Sequence, residues 1–329
     1  MRWGIRCGAV ALMVAAICCL PWVLACYAGQ MPRIVGPSST KAARQLRTIS
    51  EAEVCGTERL GNTIVAILNR VPLVTVSANG HALTLILDTG AERTVLTPDV
   101  AQRIGAQRPS IEFQRQVRGI TGNLGSHEVE LRSFAAGGVP LPWHRVLVAP
   151  VTTAKIFPTG LDGFLGADVL SDFDIDVDLP GQQVGFYRKQ TCLTAAPDWP
   201  GRYSTIDTGT SRGERLFFPV QLDGRRLTAI IDTGSQTTVL ATASAAALGV
   251  TQAVLARDRA MTMQGVTGGA VDSRVHQFSR LEVGTMVVRN PRMGVMDLKL
   301  SEADLVLGID FMSSRRVWLS YGSRRIFLR

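Results

Sequence analysis

At 329 residues, with frequent glycine, few aromatics and short apolar runs broken by Gly, Pro, Asn and Asp, the chain has room for two cores and the texture of an all-β protein. Its formal charge of +8 includes scattered pairs (Arg225-Arg226, Arg315-Arg316, Arg324-Arg325) without interleaved aromatics, which argues against nucleic acid as a partner. His81, His127, His144 and His276 show no metal-ligand spacing, so neither a metal nor a cofactor is expected.

Residues 1–28 have the layout of a secretory signal: Arg2 and Arg6, an uncharged apolar run reaching Ala25 and Tyr27, and a small residue, Ala28, for cleavage. The stretch Val23-Leu24-Ala25-Cys26 also loosely matches a lipoprotein box, with Cys26 as the lipidation candidate, although Leu24 fits poorly. The apolar run is nearly long enough to stay uncleaved as an anchor. All three outcomes place the rest of the chain outside the cytoplasm, periplasmic or extracellular, and two of them attach it to a membrane through the N-terminus. Residues 29–60 read as a spacer or strap. Beyond the leader only Cys55 and Cys192 remain, a candidate disulfide in an oxidising compartment. Closing so long a loop stabilises by about 4 to 5 kcal/mol in the chain-entropy treatment.

Residues 61–190 form the first expected lobe. In VSANGHALTLILDTG, residues 76–90, Asn79-Gly80 predicts a two-residue hairpin turn whose second strand delivers Asp88 into a tight loop with Thr89 and Gly90. A carboxylate at the end of a buried strand is costly unless something satisfies it. Further on, Gly119-Ile120-Thr121-Gly122 reads as a flexible tip between extended runs, and Phe164-Leu165-Gly166 as a short core strand. The lobe closes with a strand pair around Pro180-Gly181.

Residues 191–210 read as a linker. Asp207-Thr208-Gly209 repeats the tripeptide, but it lacks the preceding hairpin and alternating strand and the following apolar pair. Asp207 is therefore expected in a turn, without a catalytic role.

Residues 211–329 form the second expected lobe, written over the first at an offset of 232 − 88 = 144 residues. VQLDGRRLTAIIDTG, residues 220–234, turns at Asp223-Gly224 and delivers Asp232, followed by Thr233, Gly234 and Ser235. Gly265-Val266-Thr267-Gly268 matches the first glycine-rich tip, Val306-Leu307-Gly308 the core strand, and a closing strand pair turns at Tyr321-Gly322. Such ordered correspondence is an internal repeat.

These motifs resemble the retropepsin-like aspartic proteases, and more distantly the pepsins, in a fused single-chain form of the duplicated bacterial type. Leu87 through Ala91 with Thr94, Val95 and Leu96 fit the retroviral form of the motif, and Ser235 replaces Ala91 in the pepsin manner. The resemblance implies two all-β barrel lobes related by a pseudo-two-fold axis. It implies Asp88 and Asp232 as a pair sharing one proton, because two carboxyls about 3 Å apart cannot both ionise. It further implies Thr89 and Thr233 hydroxyls bonding across the lobes, and Gly90 and Gly234 allowing close backbone approach with amides on the carboxylates. Ser235 is expected to add a hydroxyl bond to Asp232 that Ala91 cannot give Asp88, and the glycine-rich tips to act as two flaps.

The activity so implied is a cofactor-free endopeptidase, monomeric, acting on an extended polypeptide. A catalytically silent peptide-binding module on the same fold is the alternative. A two-carboxylate glycosidase needs carboxyls about 5 Å apart or more, which the symmetric repeat disfavours.

Overall fold

A computed structural model of the protein describes residues 56–111, 115–141, 145–152, 161–192, 194–209, 214–298 and 303–329. The leader with Cys26, most of the spacer, Cys55 and with it the Cys55–Cys192 pairing lie outside the described residues. Cys192 is half-buried, its Sγ 3.6 Å from Thr194 Oγ1. Among the described residues no helix is long and apolar enough to cross a membrane.

Each half is built on the hairpin its sequence predicts. Val71–Ala78 pairs antiparallel with His81–Leu87 around Asn79-Gly80, and Phe217–Leu222 with Arg225–Ile231 around Asp223-Gly224. All four turn residues have positive φ (51° and 82°, 48° and 81°), the requirement that selects Asn-Gly and Asp-Gly. Asn79 and Asp223 add a second function: their side chains accept N–H groups of Arg132 and Ser133, and of Ser279 and Arg280, pinning each turn to a neighbouring loop.

The strand carrying each aspartate is buried between partners on both edges. Gly163–Leu165 runs parallel to Leu85–Leu87, and Leu305–Leu307 parallel to Ala229–Ile231. These apolar strands were expected to support the aspartate loops, and they do so directly. The Asp88 N–H donates to Leu165 O and the Asp232 N–H to Leu307 O, each at 3.0 Å. On their far side lie Val95–Leu96 and Val239–Ala241, then Arg145–Val148 and Arg292–Met296, then the hairpins that bear the glycine-rich tips. The two lobes repeat this order strand for strand.

The closing strand pairs join the lobes. Phe173–Asp178, paired with Gln183–Arg188, also pairs antiparallel with Arg316–Ser320 from the second lobe. Across that seam Arg316 grips the buried Asp176 with two hydrogen bonds of 2.9 and 2.6 Å. Trp199, Trp318 and Phe327 pack as a small apolar cluster beside it. The seam sheet is extended by Ser204–Asp207, which pairs with Arg325–Leu328. Asp207 thus ends a strand instead of sitting in a turn. Ser204 and Ile206 are buried and Thr205 and Asp207 exposed, so an alternation four residues long was present inside the expected linker. Asp207 is exposed and 3.1 Å from Arg325 Nε.

Candidate active site

The two motif loops meet back to back at the lobe interface. The Thr89 N–H donates to Thr233 Oγ1 at 3.0 Å, and the Thr233 N–H to Thr89 Oγ1 at 3.1 Å. Each hydroxyl then donates to a carbonyl of the opposite strand, Thr89 to Ile231 O at 2.8 Å and Thr233 to Leu87 O at 2.5 Å. Both threonines are buried, so every polar atom here needs its partner. The lock fixes two carboxyl-bearing loops in one frame.

Within that frame Asp88 Oδ1 accepts the N–H groups of Gly90 (3.0 Å) and Ala91 (2.8 Å). Asp232 Oδ1 accepts those of Gly234 (2.8 Å) and Ser235 (3.0 Å). Each carboxyl lies against the glycine of the opposite loop, which brings the two side chains together. The glycines make that approach feasible. A Cβ on Gly90 would fall on the Asp232 carboxyl, and one on Gly234 would lie 2.7 Å from Asp88 Cγ.

The Ser235 hydroxyl does not join the pair. It donates to Thr237 O at 2.9 Å, a local acceptor two residues on, and only its backbone N–H serves Asp232. Both carboxyls are held above the usual carboxylate range. Burial raises the proton affinity of Asp88 well above the usual carboxylate range, and the adjacent Asp232 raises it further. Burial raises that of Asp232 as well. In each case the loop amides act in the opposite direction, those of Ala91 and Gly90 on Asp88 and those of Gly234 and Ser235 on Asp232.

A second layer holds the loops, and its roles were not apparent in the sequence. Thr94 donates both its N–H and its hydroxyl to Asp168 Oδ1, each at 2.8 Å, and its Oγ1 accepts the Gly166 N–H at 3.0 Å. Thr238 does the same with Asp310 (2.8 and 2.7 Å) and the Gly308 N–H (3.2 Å). Asp168 and Asp310 stand two residues after the repeated glycines Gly166 and Gly308. That repetition was the available signal. One step outward, Glu92 Oε1 accepts Arg215 Nη2 from the other lobe at 2.7 Å, and Gln236 Nε2 donates to Asn69 O at 2.7 Å.

The glycine-rich stretches are hairpin tips, and the tips meet. Arg115–Gly119 and Gly122–Glu130 enclose Ile120-Thr121, while Arg259–Gln264 and Ala270–Gln277 enclose Gly265 to Gly269. The Thr121 and Thr267 hydroxyls bond to each other, and Val266 O accepts the Thr152 N–H at 2.8 Å. Val117, Leu124 and Val266 pack onto an apolar cluster that contains Ile86 and Phe164, from the strands leading into Asp88 and Gly166. Flap candidates from both lobes thus lie together against the first lobe's aspartate-bearing sheet.

The family model described as "Aspartyl protease" matches this chain twice, over residues 74–169 and 218–311, together more than half its length. No curated protein matches it. Among solved structures it is similar to the aspartic proteinase from Irpex lacteus, at 12% identity over 82% of this chain and 96% of that one, with a TM-score of 0.46. Two matched repeats, each carrying one Asp-Thr-Gly loop on an all-β lobe, establish that the chain belongs to the aspartyl protease family.

Proposed function

We propose that the protein is an exported aspartic endopeptidase in which Asp88 and Asp232 activate a water against a peptide bond. The observation that carries this reading is the pair itself: two carboxyls, each against the glycine of the opposite loop and each held by two backbone N–H groups, in loops locked by Thr89 and Thr233. Two buried carboxyls so close share one proton, and with that proton on Asp88 the charged Asp232 is the base.

The Asp232 carboxylate then takes a proton from water as the water oxygen bonds to the scissile carbonyl carbon. Asp88 gives its proton to the carbonyl oxygen, forming a neutral tetrahedral diol. Its collapse breaks the C–N bond: the leaving nitrogen receives the proton now on Asp232, and a diol hydroxyl returns one to Asp88. The products are a carboxylic acid and an amine, which ionise in solution.

The substrate on this reading is an extended polypeptide. Arg115–Gly119 and Arg259–Gln264 are each the terminal strand of their sheet, which suits strand addition by a bound backbone. Because one chain supplies both aspartates, a monomer suffices. Export, to the periplasm or beyond and with or without membrane attachment, rests on the leader-like residues 1–28.

The test is to incubate the full chain with a mixed peptide library from pH 3 to pH 8, with and without a transition-state-analogue inhibitor of aspartic proteases, and to identify new termini by mass spectrometry. Inhibitor-sensitive internal cleavage at acidic pH is expected. Inhibitor-resistant cleavage, or none at any pH, would overturn the reading.

A further inference from the structure

A buried charge on the first glycine-rich hairpin carries an inference about how that hairpin is held. Its strands are Arg115–Gly119 and Gly122–Glu130, and Arg115 pairs with Ser126. Glu128, two residues further along, pairs with Leu147 on its other edge and is buried. A buried carboxylate is costly unless it is paired. Glu128 Oε1 has two cations: Arg115 Nε at 3.4 Å and Arg93 Nη2 at 3.6 Å. Arg93 stands five residues after Asp88 in the same loop. Its Nε lies 3.2 Å from Asp168 Oδ2, on the carboxylate whose other oxygen holds Thr94. Alternating charges thus run from the base of the hairpin, through Arg115, Glu128 and Arg93, to the Asp168 that supports the Asp88 loop.

The second lobe keeps one member of this chain. Glu128 pairs with Leu147 and Leu147 with Val95, while Val275 pairs with Gly294 and Gly294 with Val239. Val95 and Val239 are 144 residues apart, so Val275 is the counterpart of Glu128. Met261, opposite Ser273, takes the place of Arg115, and Thr237 that of Arg93. Of the four, only Asp168 has a charged counterpart, Asp310, and both of its oxygens accept the Thr238 N–H. The fused chain has built an ionic tether into one hairpin and apolar contacts into the other.

We infer that Arg93 is a positioning residue that couples the first glycine-rich hairpin to the Asp88 loop, a coupling the second hairpin does without. The inference rests on the peptidase reading for its kinetic meaning, since a flap tied to an aspartate loop orders that loop as it closes on a peptide. The coupling itself is independent of turnover. Its links are unequal. The Arg115 side chain is 52% exposed, so water and salt screen its attraction to Glu128. Arg93 is 30% exposed and stands between two carboxylates that are 6% exposed each. It is the member whose loss separates hairpin from loop and leaves both acids short of a cation.

Hydrogen–deuterium exchange on the full chain, without substrate, tests the coupling. Arg93→Gln should speed exchange about fivefold in residues 117–124, at the far end of the hairpin, and leave residues 259–264 of the second hairpin as they were. Glu128→Gln, a change within the hairpin, should speed exchange about as much in residues 89–96 of the aspartate loop. The double variant should be no faster than the faster single one, since both cut one chain. Arg93→Lys, which keeps a cation between the carboxylates, should restore most of the wild-type pattern. On the peptidase reading, kcat/KM should fall about fivefold in Arg93→Gln and recover in Arg93→Lys. If Arg93→Gln does not fold, Arg115→Gln, at the exposed outer link, should still speed exchange in residues 89–96. Wild-type exchange at 117–124 in folded Arg93→Gln, or at 89–96 in folded Glu128→Gln or Arg115→Gln, would overturn the coupling. Equal acceleration of both hairpins would overturn it too, because that marks general destabilisation. Absence of any cleavage by the wild type would count against the peptidase reading instead, and the exchange pattern would still decide the coupling.

Discussion

Thr89 and Thr233 exchange hydrogen bonds across the lobe interface, each N–H donating to the other's hydroxyl at 3.0 and 3.1 Å. The repeat is thereby closed on itself. Neither loop holds its geometry alone, because the groups that satisfy each threonine belong to the other lobe.

Thr89→Val and Thr233→Val keep the side-chain shape and remove the hydroxyl, leaving the opposite N–H buried without its acceptor. Each should destabilise by about 1 to 3 kcal/mol in urea unfolding. The double variant should lose less than the sum, since both changes break one network. Additive losses would mean that the two hydroxyls act independently.

Asp168 and Asp310 should matter as much as residues nearer the chemistry. Asp168→Ala orphans the Thr94 N–H and hydroxyl, and Asp310→Ala does the same at Thr238. Each should cost about 1 to 3 kcal/mol of stability and lower kcat, because the Gly166 and Gly308 segments that flank the aspartate loops are held through those threonine hydroxyls. Wild-type kcat in a destabilised Asp310→Ala variant would confine the residue to the fold.

The dyad should also leave its mark on stability against pH. Asp88 has a folded-state pKa raised above its unfolded value of about 3.9, so the folded chain binds more protons between the two values. Its contribution is complete below pH about 4 and is lost as pH rises through the folded value. Asp168 and Asp174, also raised by burial, act in the same sense. Urea midpoints should therefore fall from pH 4 toward neutrality, and Asp88→Asn should flatten part of that fall. An equally steep decline in the variant would place the linked protons elsewhere.

Much of the site was legible because its parts repeat as identical words. Asn79-Gly80 and Asp223-Gly224 announce hairpins through backbone conformation alone, and two Asp-Thr-Gly loops in equivalent frames announce a pair. Arg215 was hidden for the opposite reason: its counterpart is Val71, and a comparison that looks for sameness passes over the position where the halves differ. Its contact with Glu92 of the other lobe reveals it. Ser235 misled because a hydroxyl beside a carboxylate suggests a bond, while the Thr237 carbonyl lies within easier local reach. Asp207 was misread because its strand is four residues long and its partner, Arg325–Leu328, stands at the far end of the chain. Edge pairing of that kind leaves only a short alternation to find.

The most direct measurement is cleavage of one peptide substrate by folded Asp88→Asn, Asp232→Asn, the double variant and Asp207→Asn, with circular dichroism confirming the fold of each. On the proposed mechanism the pair acts as a unit, so either single change should abolish turnover and the double variant should be scarcely worse. Asp207→Asn, on an exposed strand end beside Arg325, should cleave at close to the wild-type rate. Activity surviving in Asp88→Asn or Asp232→Asn, or lost in Asp207→Asn alone, would contradict the shared-proton dyad.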